Sequence, residues 1–140
     1  MEVKGLLLLA LLATLTVILA TWSASDPSWS NAADGEIRNA LGYTGAVIAD
    51  KLTSWLALSN AVLLGIPAFW AIVLMSHNKL GRWQVRAPAF IATILLAATF
   101  LALLPLPGNW PLGPGLGGAA GDALATLVTA LPRLFVFDWI

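Results

Sequence analysis

The sequence contains no cysteine and only one histidine, His77. Without cysteine the chain forms no disulfide and offers no thiolate nucleophile or thiolate metal ligand. A zinc site built on histidines needs more than one of them. His77 could alternatively bind a pigment or haem. Its position near Lys79 in a polar segment favours a solvated histidine in a loop instead. We therefore predict no metal site and no bound cofactor.

Charged residues are also scarce. They make up 10% of the chain, whereas soluble domains carry roughly 25%. None of Lys4, Lys51 and Lys79 follows a glycine, so the sequence has no phosphate-binding P-loop. It also has no G-x-S-x-G nucleophile motif, and no apolar run contains a carboxylate pair for acid–base catalysis. These missing motifs predict that the chain is not an enzyme. Its net charge of zero gives no reason to expect direct binding to nucleic acid.

What the chain has in quantity is apolar sequence, 59% of its residues. Three long runs, at residues 5–22, 52–76 and 87–104, contain no charged residue. As a helix, the first would cover about 27 Å at ~1.5 Å per residue, close to the ~30 Å hydrocarbon core of a bilayer. A cleavable signal peptide is the alternative for this run, but signal h-regions are shorter, about 7–15 residues. The sequence therefore predicts an all-α, polytopic transmembrane protein with three spans, forming a single membrane domain over residues 1–140.

The loops predict an orientation. The connection at residues 77–86 contains three basic residues and no acid, so the positive-inside rule places it, and the N-terminus, in the cytoplasm. The loops at residues 23–51 and 105–122 are then external. The last apolar stretch, at residues 123–131, is too short to cross the membrane, so residues 123–137 are predicted to form a C-terminal interfacial helix. Tryptophans support these boundaries. Trp83 is expected near the inner boundary. Five other tryptophans are expected near the outer boundary, namely Trp22, Trp29, Trp55, Trp110 and Trp139.

Two stretches resemble each other at an offset of 72 residues, 45–55 and 117–127. Each is predicted to form a short interfacial or re-entrant helix at the outer surface, with a glycine face that permits close helix packing and one acid that stays solvated. Asp50 has an alternative role as a proton or ion site. The candidate packing and interaction residues are Gly45, Ala49, Asp50, Gly117, Gly121, Asp122, Trp29 and Trp110.

The second apolar run contains two interruptions of its pattern, Asn60 and Pro67. Proline inside a helix leaves the carbonyl one turn earlier without its donor, so a kink is expected at Pro67. Asn60 is predicted to form an interhelical hydrogen bond, with a polar transport or ligand site as the alternative.

The first external loop, "SASDPSWSNAADGEIRNALGYTGAVIAD", resembles the membrane domain of FtsK/SpoIIIE-type DNA translocases. That family has D-P-S-W after its first span and G-x-x-G-A-x-x-A-D at the start of the next helix. The matching residues here are Asp26, Pro27, Ser28, Trp29, Gly42, Gly45, Ala46, Ala49 and Asp50. The later stretch "LPLPGNWPLGPGLGGAAGDAL" is similar to the second external loop of the family.

This resemblance implies a non-catalytic module of the bacterial inner membrane that anchors and assembles a DNA-pumping motor at the division septum. The family domain has four spans, and this chain ends before the fourth and does not include the motor. The expected partners are the lipid bilayer and other membrane-protein subunits, in a homo- or hetero-oligomer. Two alternatives stay open: an accessory subunit of a respiratory or photosynthetic complex, and a small transporter or channel, which the lack of mid-membrane charge disfavours.

Overall fold

Five α-helices make up the described part of the protein, and no β-strand occurs among those residues. The computed structural model describes residues 2–28, 31, 35–76 and 80–135. A 3-10 turn, Ala57–Ser59, joins the second helix to the third. The helices are α1 (Glu2–Ala20), α2 (Gly42–Leu56), α3 (Asn60–Met75), α4 (Trp83–Ala102) and α5 (Gly118–Phe135). The predicted all-α class is confirmed.

Three segments are long and apolar enough to cross a membrane: Val3–Ala20, Gly42–Met75 and Trp83–Ala102. Large apolar side chains on them are exposed, including Leu7 (66%) and Leu96 (70%). Such exposure is unfavourable in water, whereas in hydrocarbon it costs nothing. The predicted number of apolar spanning helices is therefore confirmed.

The second apolar segment is not the single helix over residues 52–76 that the sequence suggested. Its helix extends back to Gly42 and is interrupted at the 3-10 turn, where Ala57 has a positive φ of 44°. The Ser59 hydroxyl donates to the Leu56 carbonyl (2.6 Å), and the Leu58 N–H donates to the Leu116 carbonyl (3.1 Å). Polar backbone groups released by the interruption therefore have partners.

Two further helices begin earlier than expected. α4 starts at Trp83 rather than at residue 87 and contains Pro88, which has no N–H to donate to the carbonyl one turn earlier. α5 starts at Gly118 rather than at residue 123, because a glycine with φ +70° directs the chain straight into the alanine-rich stretch that follows.

The helices pack in two main pairs, α1 with α3 and α4 with α5, and α2 contacts both α1 and α5. At the start of α1, a Cβ added to Gly5 would lie 2.9 Å from the carbonyl oxygen of Ala71 and 3.0 Å from the N–H nitrogen of Met75. The N-terminal end of α1 therefore meets the C-terminal end of α3. We call this end of the bundle, where α4 also starts, the basic end, because Lys4, Arg82 and Arg86 lie there.

Candidate helix-packing site

The start of α5 approaches α4 closely through glycine. A Cβ added to Gly117 or to Gly121 would overlap the carbonyl oxygen of Ala98, and one at Gly121 would also lie 3.2 Å from the Cβ of Ala102. Ala98 is fully buried. Since real Cβ atoms essentially never come within 3.0 Å of such neighbours, only glycine permits this separation of the two backbones. We call Gly117, Gly118 and Gly121 the α5 glycine face.

The same face also contacts the end of α2. A Cβ added to Gly118 would lie 2.5 Å from the carbonyl oxygen of Trp55 and 2.6 Å from the N–H nitrogen of Leu56. Close by, the backbone hydrogen bond from Leu58 to Leu116 joins the 3-10 turn to the loop ahead of α5. The α5 glycine face thus links α4 to the junction between α2 and α3, and three helices meet at one point.

A buried carboxylate organises the turn that precedes α2. Asp26 is 4% exposed, and its two oxygens accept hydrogen bonds from the N–H groups of Arg38 (3.0 Å) and Asn39 (2.9 Å). The Asn39 side chain in turn donates to the Ile18 carbonyl at the end of α1 (2.9 Å). Hydrogen bonds of this kind to a charged acceptor contribute about 1.5–3 kcal/mol each. Asp26 and Asn39 therefore join the end of α1 to the start of α2 across a loop of some twenty residues.

The turn that precedes α5 has the same backbone arrangement. Gly118 donates to the carbonyl of Gly115, three residues earlier, as Gly42 donates to the carbonyl of Asn39, each at 2.9 Å. The N–H of Gly115 donates to the carboxylate of Asp122 at 2.8 Å. In both turns, the backbone N–H of the residue three positions before a positive-φ glycine thus donates to an aspartate. The aspartate of the first turn precedes that turn in the sequence, whereas the aspartate of the second turn follows it.

These turns correct the register of the internal repeat. The offset of 72 pairs Gly45, inside α2, with Gly117, which precedes α5, so it is wrong. An offset of 76 pairs the helix-opening glycines, Gly42 and Gly118, whose φ values are +64° and +70°. It also pairs two buried glycines and two buried alanines: Gly45 with Gly121 and Ala49 with Ala125. The physical reason is that the left-handed glycine, and not the acid, sets where each helix begins.

The other predicted packing residues lie in different surroundings. A Cβ added to Gly45 would meet the side chains of Asn39 and Leu41, so this glycine accommodates its own preceding turn. Asp50 is half-buried in the middle of α2. Trp110 donates its indole N–H to the Pro114 carbonyl at 2.8 Å, within the second loop. Trp29 lies outside the described residues, as do Trp139 and His77.

The predicted interhelical hydrogen bond of Asn60 is confirmed. Its side-chain amide donates to the carbonyl of Leu52, in α2, at 3.1 Å. Its Oδ1 atom is buried and has no partner. This residue therefore ties α2 to α3 across the 3-10 turn.

Sequence reasoning did not select Asp26, Asn39 or Ala98 as site residues. Asp26 entered the sequence analysis only through the D-P-S-W motif. An aspartate directly before a proline is typical of a turn, and this pattern could have indicated that its carboxylate binds backbone N–H groups there. Ala98 had no signal, because one alanine in an apolar run is like any other.

Across residues 2–28, 31, 35–76 and 80–135, no three His, Asp or Glu side chains are grouped as metal ligands. Backbone contacts and two aspartates hold the ends of α1, α2, α4 and α5 together at this site.

Comparison with known proteins identifies the family. The family described as the 4TM region of DNA translocase FtsK/SpoIIIE matches residues 1–135. The chain is 41% identical over 120 residues to the DNA translocase FtsK of Brucella suis biovar 1, and 38% identical over 137 residues to that of Agrobacterium fabrum. It is 41% identical over 123 residues to the DNA translocase FtsK of Bradyrhizobium diazoefficiens.

These alignments cover 86%, 97% and 88% of this chain but only 14%, 15% and 15% of the respective relatives. The chain thus spans about one seventh of the length of these curated relatives. No solved structure matches it. Since the family match includes all five helices and both loops that carry the aspartate turns, the chain belongs to the family of the FtsK/SpoIIIE 4TM membrane region, as the motifs at residues 26–29 and 42–50 predicted.

Proposed function

We propose that this chain is a membrane-anchoring and assembly module of an FtsK-type DNA translocase in the bacterial inner membrane. The observation that carries the proposal is the family match over residues 1–135, in a chain with three helices long and apolar enough to span a bilayer. The relatives bear the name of a DNA translocase, and the part of them that corresponds to this chain is their membrane region.

The module itself is non-catalytic in this proposal. The match is to the membrane region and not to a motor, and the sequence has no P-loop to hold nucleotide phosphates. An accessory role in a respiratory or photosynthetic complex is not favoured, because the relatives are translocases. The role of the α5 glycine face is to keep the external ends of the helices in one arrangement, so that the module presents a constant surface to other membrane-protein subunits.

The orientation is part of the proposal. Lys4, Arg82 and Arg86 lie at the basic end, whereas Asp26 and Asp122 lie at the opposite end of the helices. The positive-inside rule then puts the basic end in the cytoplasm and both aspartate turns outside.

Single cysteines in this cysteine-free chain test the orientation. Ser76 is exposed beside the basic end, and Gly35 is exposed in the first external loop with no atom within 4 Å of an added Cβ. In intact cells with a permeabilised outer membrane, an impermeant thiol reagent should label Gly35→Cys and leave Ser76→Cys unlabelled. The opposite labelling pattern would overturn this topology.

Localisation in dividing cells tests the function. A fluorescent fusion of the chain should concentrate at the division site, and an unrelated three-span protein carrying the same label should be spread evenly around the membrane. Purification in mild detergent followed by mass spectrometry should recover division proteins with the chain. Even peripheral fluorescence together with recovery of respiratory subunits would contradict the proposal and support the accessory-subunit role instead.

A further inference from the structure

A pocket opens at the basic end, between the last turns of α3 and the first turns of α4. Its volume is about 210 Å³, and it is lined by Trp70, Leu80, Trp83, Arg86 and Ala87. The ring of Trp70 also packs against Phe90, one turn further along α4, with 5.4 Å between ring centroids and 57° between ring planes. An aromatic pair therefore lies behind the pocket, and its walls offer a surface for hydrocarbon.

The mouth of this pocket is positively charged. Arg86 lines it directly, and Arg82 precedes α4 in a left-handed conformation, with φ +57° and ψ +42°. Both arginines are exposed. The sequence contains no Asp or Glu between Asp50 and Asp122. Glu2 and Lys4, at the start of α1, add one charge of each sign and leave the excess positive.

The start of α4 adds to this positive charge. The start of a helix carries the positive end of its dipole, so it contributes positive potential beside the two guanidinium groups. Both features favour a nearby anion. Guanidinium groups form two parallel hydrogen bonds to phosphate, which makes arginine well suited to a phosphodiester.

The position of the pocket selects the kind of anion. Trp83 is 69% exposed at the end of a helix that is long and apolar enough to span a bilayer. Tryptophan rings so placed favour the boundary between headgroups and hydrocarbon. A ligand here meets phosphate-binding groups on the water side and apolar walls on the lipid side.

We propose that this pocket is a binding site for an anionic phospholipid. The phosphate of the lipid headgroup pairs with Arg82 and Arg86, and part of one acyl chain lies against Trp70 and Trp83. Basic pockets between spanning helices on the cytoplasmic side are suited to such headgroups. With the orientation proposed above, the site couples the junction of α3 and α4 to the anionic lipid content of the inner leaflet, which goes beyond a role in anchoring a motor.

Lipid titration of the purified chain tests the proposal. In zwitterionic detergent, phosphatidylglycerol should raise the melting temperature and remain bound in native mass spectra, whereas phosphatidylcholine at the same concentration should do neither. Each arginine near an anionic lipid surface contributes roughly a 5-fold gain in affinity, so the double variant Arg82→Gln/Arg86→Gln should bind phosphatidylglycerol about 30-fold more weakly.

Two further variants keep the result interpretable. Arg38→Gln removes an exposed arginine at the opposite end of the bundle and should leave the affinity within about twofold of the original. Arg82→Lys/Arg86→Lys keeps both charges but loses the paired hydrogen bonds of the guanidinium groups. It should therefore still prefer phosphatidylglycerol to phosphatidylcholine, with a weaker affinity than the original chain, even if the glutamine variant does not fold.

Three results would overturn the site. They are equal affinity for phosphatidylcholine, an equal loss of affinity in Arg38→Gln, and full binding by a folded Arg82→Gln/Arg86→Gln variant. Equal stabilisation by inorganic phosphate alone would likewise show an anion site without a lipid and contradict the proposed occupant.

Discussion

Replacing Gly121 by alanine is the smallest change that tests the packing of α5 on α4. The added methyl group would overlap the carbonyl oxygen of Ala98 and lie 2.8 Å from its carbonyl carbon. Both of these are backbone atoms, which cannot rotate away as the end of a long side chain can. The two helices must therefore separate, or α5 must rotate away from the α2–α3 junction.

The size of the effect follows from two opposing contributions. Overpacking of this kind costs typically about 1–3 kcal/mol, whereas alanine in place of glycine inside a helix gains roughly 0.5–1 kcal/mol. We expect Gly121→Ala to lower the free energy of unfolding by about 1–2 kcal/mol. For a chain of this size that corresponds to a fall in melting temperature of roughly 3–8 °C.

Gly65 provides a matched control. It also lies inside a helix, α3, but nothing comes within 4 Å of a Cβ added there. Thermal unfolding in detergent, followed by tryptophan fluorescence, should show a lower melting temperature for Gly121→Ala and an unchanged or higher one for Gly65→Ala. If Gly121→Ala proved as stable as Gly65→Ala, the close approach of α5 to α4 would be refuted.

Three other predictions rest on single features of the structure. Gly42→Ala should destabilise the chain by about 1–2 kcal/mol because φ is +64° there although no atom lies within 4 Å, whereas Gly35→Ala, at an equally open site, should be neutral in the same thermal assay. Asp26→Asn leaves one of two backbone N–H groups facing an amide NH₂, so a loss of about 1–3 kcal/mol and faster limited proteolysis of the first loop are expected, and the exposed Glu36→Gln is the control. The purified chain should show no saturable ATP binding by calorimetry, because it has no P-loop; a measurable affinity without any partner would contradict the non-catalytic role.

The sequence by itself determined the class of the protein, its apolar segments and its family. Those properties depend on local composition: a run of about twenty apolar residues specifies a spanning helix whatever it packs against. The motifs around Asp26 and Gly42 identified the family because short polar patterns between apolar runs are distinctive. The G-x-x-x-G of Gly117 and Gly121 likewise pointed to close helix approach, since small residues at that spacing form one face.

Only the tertiary structure decided what that face contacts. Ala98 became its partner because α4 and α5 pack as a pair, and nothing near Ala98 in the sequence distinguishes it from other alanines in the same run. The interruption at Ala57 is a tertiary feature as well, since the Leu58 N–H there bonds to Leu116, 58 residues along the chain. A local pattern predicted a kink at Pro67 and no break before it.

The register of the repeat shows the same division most clearly. The pairing of two aspartates, Asp50 with Asp122, suggested an offset of 72, whereas the backbone conformations of Gly42 and Gly118 require 76. The fold distinguishes an aspartate from a glycine physically, because a carboxylate reaches the same backbone N–H from either side of a turn, while a left-handed residue occupies one position at the start of each helix.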